Sequence, residues 1–208
     1  MERFVRSDLM VTMIAMVAIA SVGALAIGLM SFSQESAGET YESDPVDVSL
    51  SAPGSIDWVH ADRMSIRPYA TVINEARYSS EAIEITRYNV PNLHLAIEVP
   101  SYGGSFRYLE IDWDAEDGDV VTGMARGIDL SRMTLDISRG GLSDGSMRIS
   151  GYRGMFGEDA TNSFDGIEFV LYDKPDLTLT FKLGMYENGA VDEYVYTYNF
   201  HVSVIDKK

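Results

Sequence analysis

The chain has 208 residues, with 32 acidic against 16 basic side chains, a formal charge of −16, and no cysteine. A surface this acidic repels nucleic acid and anionic headgroups, which excludes nucleic acid as a partner. The lack of cysteine removes disulfides, thiolate nucleophiles and cysteine-based zinc sites together.

The first element is apolar. From Leu9 to Phe32 the sequence LMVTMIAMVAIASVGALAIGLMSF carries no charged residue. Lipid offers backbone N–H and C=O groups no partner, so a spanning helix must satisfy them internally, over about 20 mostly apolar residues. The run meets that requirement and predicts a transmembrane helix or signal anchor over 9–32. Arg3 and Arg6 precede it and no further Lys or Arg occurs before Arg63. The positive-inside rule then puts residues 1–8 in the cytoplasm and the bulk of the chain outside. Ala20, Ala24 and Gly28 recur every fourth residue, a small-residue seam through which two such helices could self-associate.

Three fates are open for this segment. It can be retained whole, or cut after Ala26, where Ala24-Leu25-Ala26 has the small-x-small form of a signal-peptidase site. It can also be cut after Ser7. Arg6-Ser7-Asp8-Leu9, a cation and a small residue just before the apolar helix, resembles the leader of archaeal type IV pilin-like and archaellum-related surface proteins. That resemblance covers about the first thirty residues and implies a short leader cut away with the helix kept for assembly. The sequence departs from the pattern in placing Ser7 where Gly or Ala is usual and Thr12 where many bacterial pilins have glutamate.

Residues 33–45 are rich in Ser, Glu and Gly and read as a polar linker. From Val46 to Lys208 the pattern is strand-like, and about 160 residues suffice for one core. Leu93, Leu95, Ile97 and Val99 alternate with polar or small residues, the period of a half-buried strand. The alternation recurs at Leu109-Ile111-Trp113, Met133-Leu135-Ile137, Ile167-Phe169-Leu171 and Leu177-Leu179-Phe181-Leu183. Turn chemistry punctuates it at Val90-Pro91-Asn92, Tyr102-Gly103-Gly104, Gly140-Gly141 and Asp173-Lys174-Pro175-Asp176. The last hairpin turns at Glu187-Asn188-Gly189, where Asn-Gly supplies positive φ angles. Its second strand places Tyr194, Tyr196, Tyr198, Phe200, Val202 and Val204 on one face. That ladder reads as aromatic core, with an exposed tyrosine platform for sugars as the alternative. Strands at this spacing without helical periods predict an all-β fold, an antiparallel β-sandwich, immunoglobulin-like or related.

Catalytic signals are thin. Gly141-Leu142-Ser143-Asp144-Gly145 matches G-x-S-x-G, and Asp165 or Asp192 with His201 would complete the order of a hydrolase triad. A nucleophile elbow needs a helix after the serine, whereas strand-like Met147 to Ile149 follows here, so Ser143 reads as part of a hairpin loop. His60, His94 and His201 form no metal-binding spacing. The best candidate for a ligand set is Asp112, Asp114, Asp117 and Asp119 around Gly118, oxygen donors suited to calcium although not in EF-hand register. Glu158, Asp159, Asn162 and Asp165 read as a weaker polar loop.

The sequence therefore predicts a membrane-anchored, non-enzymatic cell-surface structural or binding protein, an envelope or filament component or a module holding a protein or glycan partner. A disulfide-free exterior domain suits an archaeal or bacterial cell. The alternatives are a secreted calcium-assisted carbohydrate-binding module and, third, a hydrolase.

Overall fold

The computed structural model describes residues 37–49, 57–100, 106–116, 119–151 and 161–203. Twelve strands follow in chain order: β1 (Ala37–Glu42), β2 (Val46–Ser49), β3 (Val59–His60), β4 (Ser65–Ser79), β5 (Glu84–Pro100), β6 (Phe106–Asp114), β7 (Val121–Ala125), β8 (Met133–Arg139), β9 (Gly145–Gly151), β10 (Thr161–Leu171), β11 (Asp176–Glu187) and β12 (Ala190–Ser203). They form a seven-stranded sheet in the order β1-β12-β11-β6-β9-β8, with β2 also on β12, and a five-stranded sheet in the order β3-β4-β5-β10-β7.

The period of two builds the core. Leu93, Leu95 and Ile97 of β5 and Ile167 and Phe169 of β10 point inward from one sheet. Leu109, Ile111 and Trp113 of β6, Leu179, Phe181 and Leu183 of β11, and Met147 and Ile149 of β9 point inward from the other. All join one apolar cluster. Phe106 meets Phe164 (centroids 5.7 Å apart) and Trp113 meets Phe169 (5.6 Å, edge to face), so aromatic contacts tie the two layers. Burying each such side chain is worth about 1.5–3 kcal/mol. The fold is an all-β sandwich, as the alternation predicts.

The C-terminal hairpin pairs Glu187 with Ala190 through Asp176 with His201, and Asn188 and Gly189 take φ of 50° and 91°. Tyr196, Tyr198 and Phe200 are fully inward, so the ladder is core and not a sugar platform. Val204 lies outside the described residues.

Several expectations need correction. The sandwich is not wholly antiparallel, because β2 runs parallel to β12 with Val48 opposite Val202. The stretch 33–45 is not all linker: β1 joins the sheet, and the compact unit begins at Gly38 rather than Val46. An edge strand needs no apolar alternation, and Tyr41 leans on Tyr196 and Tyr198 (centroids 6.4 and 6.1 Å). Val90-Pro91-Asn92 is not a turn, since β5 runs through it. Pro91 sits one residue beyond Asn92, the last position that β10 pairs, so its missing N–H costs no bond to that strand. The stretch containing Asn162 and Asp165 is strand rather than loop, with Asn162 buried; Glu158 and Asp159 lie outside the described residues. So does the 9–32 run with its Ala20, Ala24 and Gly28 seam and the cleavage positions Ser7 and Ala26. Among the described residues no helix is long and apolar enough to cross a membrane.

Candidate functional site

A groove that could hold a ligand arises where three distant stretches meet at one end of the sandwich. In the β4–β5 ladder Ile73 faces Val90 and Glu75 faces Tyr88, with Asn74 and Asn89 skipped between them. Asn89 takes φ of 55°, a left-handed conformation that asparagine tolerates better than other side-chain-bearing residues. Its neighbour Tyr88 stands 69% exposed, the most exposed large apolar side chain described. Opposite, the Tyr172-to-Pro175 turn carries the chain from β10 in one sheet to β11 in the other. The Val202 N–H on β12 donates to the Pro175 carbonyl (2.8 Å) and fixes that turn.

Between them lies an open groove of about 360 Å³, lined by Tyr88, Val90, Pro91, Pro175, His201 and Val202 among others. That volume falls at the lower end of small-molecule sites. Its charged neighbours are paired within the protein. Asp173 accepts from Arg87 Nε (2.9 Å), and Lys174 bonds Glu116 and lies 3.7 Å from Asp119. His201 Nδ1 lies 2.7 Å from Asp176 Oδ1. That hydrogen bond raises the His201 pKa above its ordinary value. What remains for a ligand is an apolar floor, an aromatic lip and backbone polar groups.

The hydrolase constellation is not assembled. Ser143 sits in the β8–β9 hairpin, where its carbonyl accepts from Ala115 N–H, and β9 follows it directly. Asp192 and His201 stand at opposite ends of β12, nine residues and thus about 30 Å apart. Asp165 lies on β10, in the other sheet, while the carboxylate on His201 is Asp176 of β11.

The acidic cluster is only partly brought together. Asp112 and Asp114 point outward from β6 on either side of buried Trp113. Asp112 is 2.6 Å from Lys182 Nζ, and Asp119 is buried beside Lys174. Asp117 lies outside the described residues. Among the described residues no three His, Asp or Glu side chains come together as a metal site. Because Lys182 already pairs with Asp112, calcium at fixed ionic strength is expected to move the melting temperature of the wild type and of an Asp112→Asn, Asp114→Asn variant equally. A rise confined to the wild type in a thermal melt would mean that calcium displaces Lys182.

A second polar cluster, on the outer face of the five-stranded sheet, was not legible as a set. Tyr69, His94, Glu168 and Met124 occupy directly paired positions on four adjacent strands. Tyr69 stacks on the His94 ring at 4.6 Å. Asn92 Nδ2 donates to His94 Nε2 (3.0 Å) and to Glu168 Oε2 (3.2 Å), and the Thr71 hydroxyl is 2.8 Å from the same ring nitrogen. With Nε2 accepting, His94 is the neutral Nδ1–H tautomer. Burial, and to a lesser degree Arg126, hold its pKa below the ordinary value although Glu168 pulls the other way. Asn92 Oδ1 is buried without a hydrogen-bond partner among the described residues, while the other groups bond one another, and the cluster reads as a stitch across four strands.

No family model matches the chain, and no curated relative does. Among solved structures, the third cohesin of ScaC from Acetivibrio cellulolyticus, in complex with the ScaB dockerin, is similar at a TM-score of 0.39. The identity is 12%, over 80% of this chain and 99% of that one. A cohesin module from a family 33 glycoside hydrolase of Clostridium perfringens has a TM-score of 0.37 and 7% identity, over 67% of this chain and 98% of that one.

Proposed function

We propose that this chain is a surface-tethered binding module: the 9–32 segment anchors it, and the sandwich presents the groove at its end to an uncharged segment of a partner. The observation that carries this reading is the groove itself. An exposed aromatic, Tyr88, beside the left-handed Asn89 is a feature that packing alone does not call for, and binding energy concentrates in such aromatic anchors. Because Asp173, Lys174 and His201 already have internal partners, a charged ligand would have to compete with them, whereas an apolar or hydroxyl-bearing segment would not. The anchor follows from the uncharged run and the cation asymmetry around it.

Two measurements test the reading. Native protein should stay with membranes through carbonate washing and leave them only with detergent; full-length chain in the soluble culture medium would overturn the anchor. The full chain in detergent micelles, applied to peptide and glycan arrays, should be captured by a discrete set of features. Tyr88→Ala should weaken that capture by about thirtyfold, the loss of one anchor residue of about 2 kcal/mol. Capture unchanged by Tyr88→Ala would remove the groove from the proposal.

A further inference from the structure

Strand β10 is paired on both sides for only part of its length. Among the described residues it pairs β5 from Thr161 to Val170, but β7 only from Ile167 to Leu171. β7 ends where the Arg126 N–H donates to the Gly166 carbonyl (2.9 Å), and Gly127, at φ 72°, turns the chain away. Successive strand residues direct their N–H and C=O groups to alternate sides, so within 161–164 every second residue turns its backbone pair toward the gap that β7 vacates. A cavity of about 220 Å³ lies there, lined by Ile128, Asp129, Met133, Asn162 and Phe164 among others. It adjoins the start of β10, whereas the groove of the preceding section lies beyond its end, so the two are separate sites.

Asn162 is the unusual member of this lining. With Phe164 it forms the inward row of β10, the two being 5% and 1% exposed, so its amide aims between the sheets and into the cavity. Its Nδ2 is buried without a hydrogen-bond partner. An unmade buried donor is destabilising, whereas an apolar side chain of the same shape is close to neutral, so packing alone favours leucine here. A ligand that brings an acceptor to Nδ2 gives the amide its use.

The rest of the cavity narrows the ligand's chemistry. Asp129 Oδ1 takes the Ser131 N–H (3.0 Å) and hydroxyl (2.6 Å), which leaves Oδ2 to accept from a ligand. The charge of Arg132, at the same rim, offsets that of Asp129, so a charged ligand gains nothing there. Ile128, Met133 and Phe164 supply an apolar wall. A neutral carbonyl carrying a methyl group meets all three conditions: its oxygen accepts from Asn162 Nδ2, its methyl lies on the apolar wall, and donors on the remainder reach Asp129. We propose that this cavity receives the acetamido group of an N-acetylated sugar. The ring hydroxyls then bond Asp129 Oδ2 and the backbone groups that β7 leaves unpaired. An acetylated lysine would bring the same acetamido group, but on an aliphatic stem with no hydroxyl for either.

Saturation-transfer NMR on the full-length chain, held in micelles of a sugar-free detergent, tests this. The ligands are N-acetylglucosamine, N-acetylgalactosamine, glucose and Nε-acetyl-lysine amide. The acetyl methyl of at least one acetylated sugar should receive the strongest transfer, and glucose much less. Asn162→Leu should weaken binding of that sugar by about tenfold or more, the loss of one hydrogen bond together with its buried donor. Its melting temperature should nevertheless equal or exceed that of the wild type, an outcome that a merely structural amide would not give. Equal transfer to glucose, stronger transfer to the acetylated lysine, or binding that survives in folded Asn162→Leu would each overturn the proposal. So would the absence of transfer to either acetylated sugar, which would leave Nδ2 to water alone. If Asn162→Leu does not fold, the four ligands on the wild-type chain decide.

Discussion

Replacing Gly145 by alanine is expected to destabilise the sandwich by about 3 kcal/mol, the upper end of what a single inserted methyl costs in a packed core. A Cβ there would overlap Trp113 Cζ2, lie 2.6 Å from Cε2 and stand 2.9 Å from the Ser138 carbonyl oxygen. The indole has nowhere to retreat. It is 2% exposed, meets Phe169 edge to face, and is flanked at Cζ3 by Gly123, where a Cβ would come within 2.9 Å. The two glycines are thus the slot that lets the chain's largest buried side chain sit between the layers. In a Trp113→Phe background the ring no longer reaches the slot, so the Gly145→Ala cost should fall to about 1 kcal/mol, the residue of the contact with the Ser138 carbonyl. Urea denaturation of the four chains in the cycle measures this. A Gly145→Ala cost below about 1 kcal/mol in the wild-type background, or no coupling to Trp113, would mean that the indole is not seated as described.

Trp113 also illustrates what a linear pattern can and cannot convey. Its place in the alternation Leu109-Ile111-Trp113 made it core from the sequence, and the same rule placed the strands of the C-terminal hairpin and their Asn-Gly turn. The rule failed where its assumptions did. β4 was not anticipated, because its inward positions are Ile66, Pro68 and Ala70, too small or too irregular to make a hydrophobic period. Met133, Leu135 and Ile137 carry the period perfectly yet end half-covered, because burial depends on what lies opposite and β8 is the last strand of its sheet. The acidic stretch looked convergent because four aspartates are close in sequence. Asp112 and Asp114 share the outer face of β6, but Asp119 lies beyond the strand, and lysines from β11 and the β10–β11 turn, about sixty residues away, neutralise Asp112 and Asp119. The groove was invisible for the complementary reason: Tyr88 to Pro91, Tyr172 to Pro175 and His201 to Ser203 share no local signal and meet only through topology. One trace was present, an asparagine before Val-Pro. That residue, Asn89, lies just outside the Val90-Pro91-Asn92 read as a turn, and its positive φ occurs inside a strand.

Lys182→Met should remove about 2 kcal/mol at neutral pH, through charge rather than packing. Lys182 of β11 sits beside Glu110 of β6, which sits beside Arg148 of β9, a row of alternating sign across three strands. Lys182 Nζ is 3.0 Å from Glu110 Oε1 and 2.6 Å from Asp112 Oδ2, and Arg148 Nη1 is 2.9 Å from Glu110 Oε2. Arg148 in turn lies over the Tyr108 ring, whose hydroxyl donates to Glu193 at 2.5 Å across the Cβ-free surface of Gly184. Lys182, Glu110 and Asp112 are between a fifth and about a third exposed, so the value falls between the 0–1 kcal/mol of open surface pairs and the roughly 3–5 kcal/mol of breaking buried ones. Hydrogen bonds donated to Asp112 and Glu110 raise the Lys182 pKa above 10.5, so its contribution is complete below that pH and is lost as pH rises through the raised value. Burial pushes the Glu110 carboxyl up, but the bonds from Lys182 and Arg148 outweigh it and leave its pKa below 4.5. That contribution is complete above 4.5 and disappears as pH falls through the lowered value. The stability difference between wild type and Lys182→Met should therefore be level from about pH 5 to 10 and shrink on both sides, and it should shrink with added salt at pH 7. Chemical denaturation across pH provides the measurement. A difference that persists unchanged to pH 2 would assign the loss to the aliphatic stem of Lys182 covering the sheet, and the charged row would then contribute nothing to the fold.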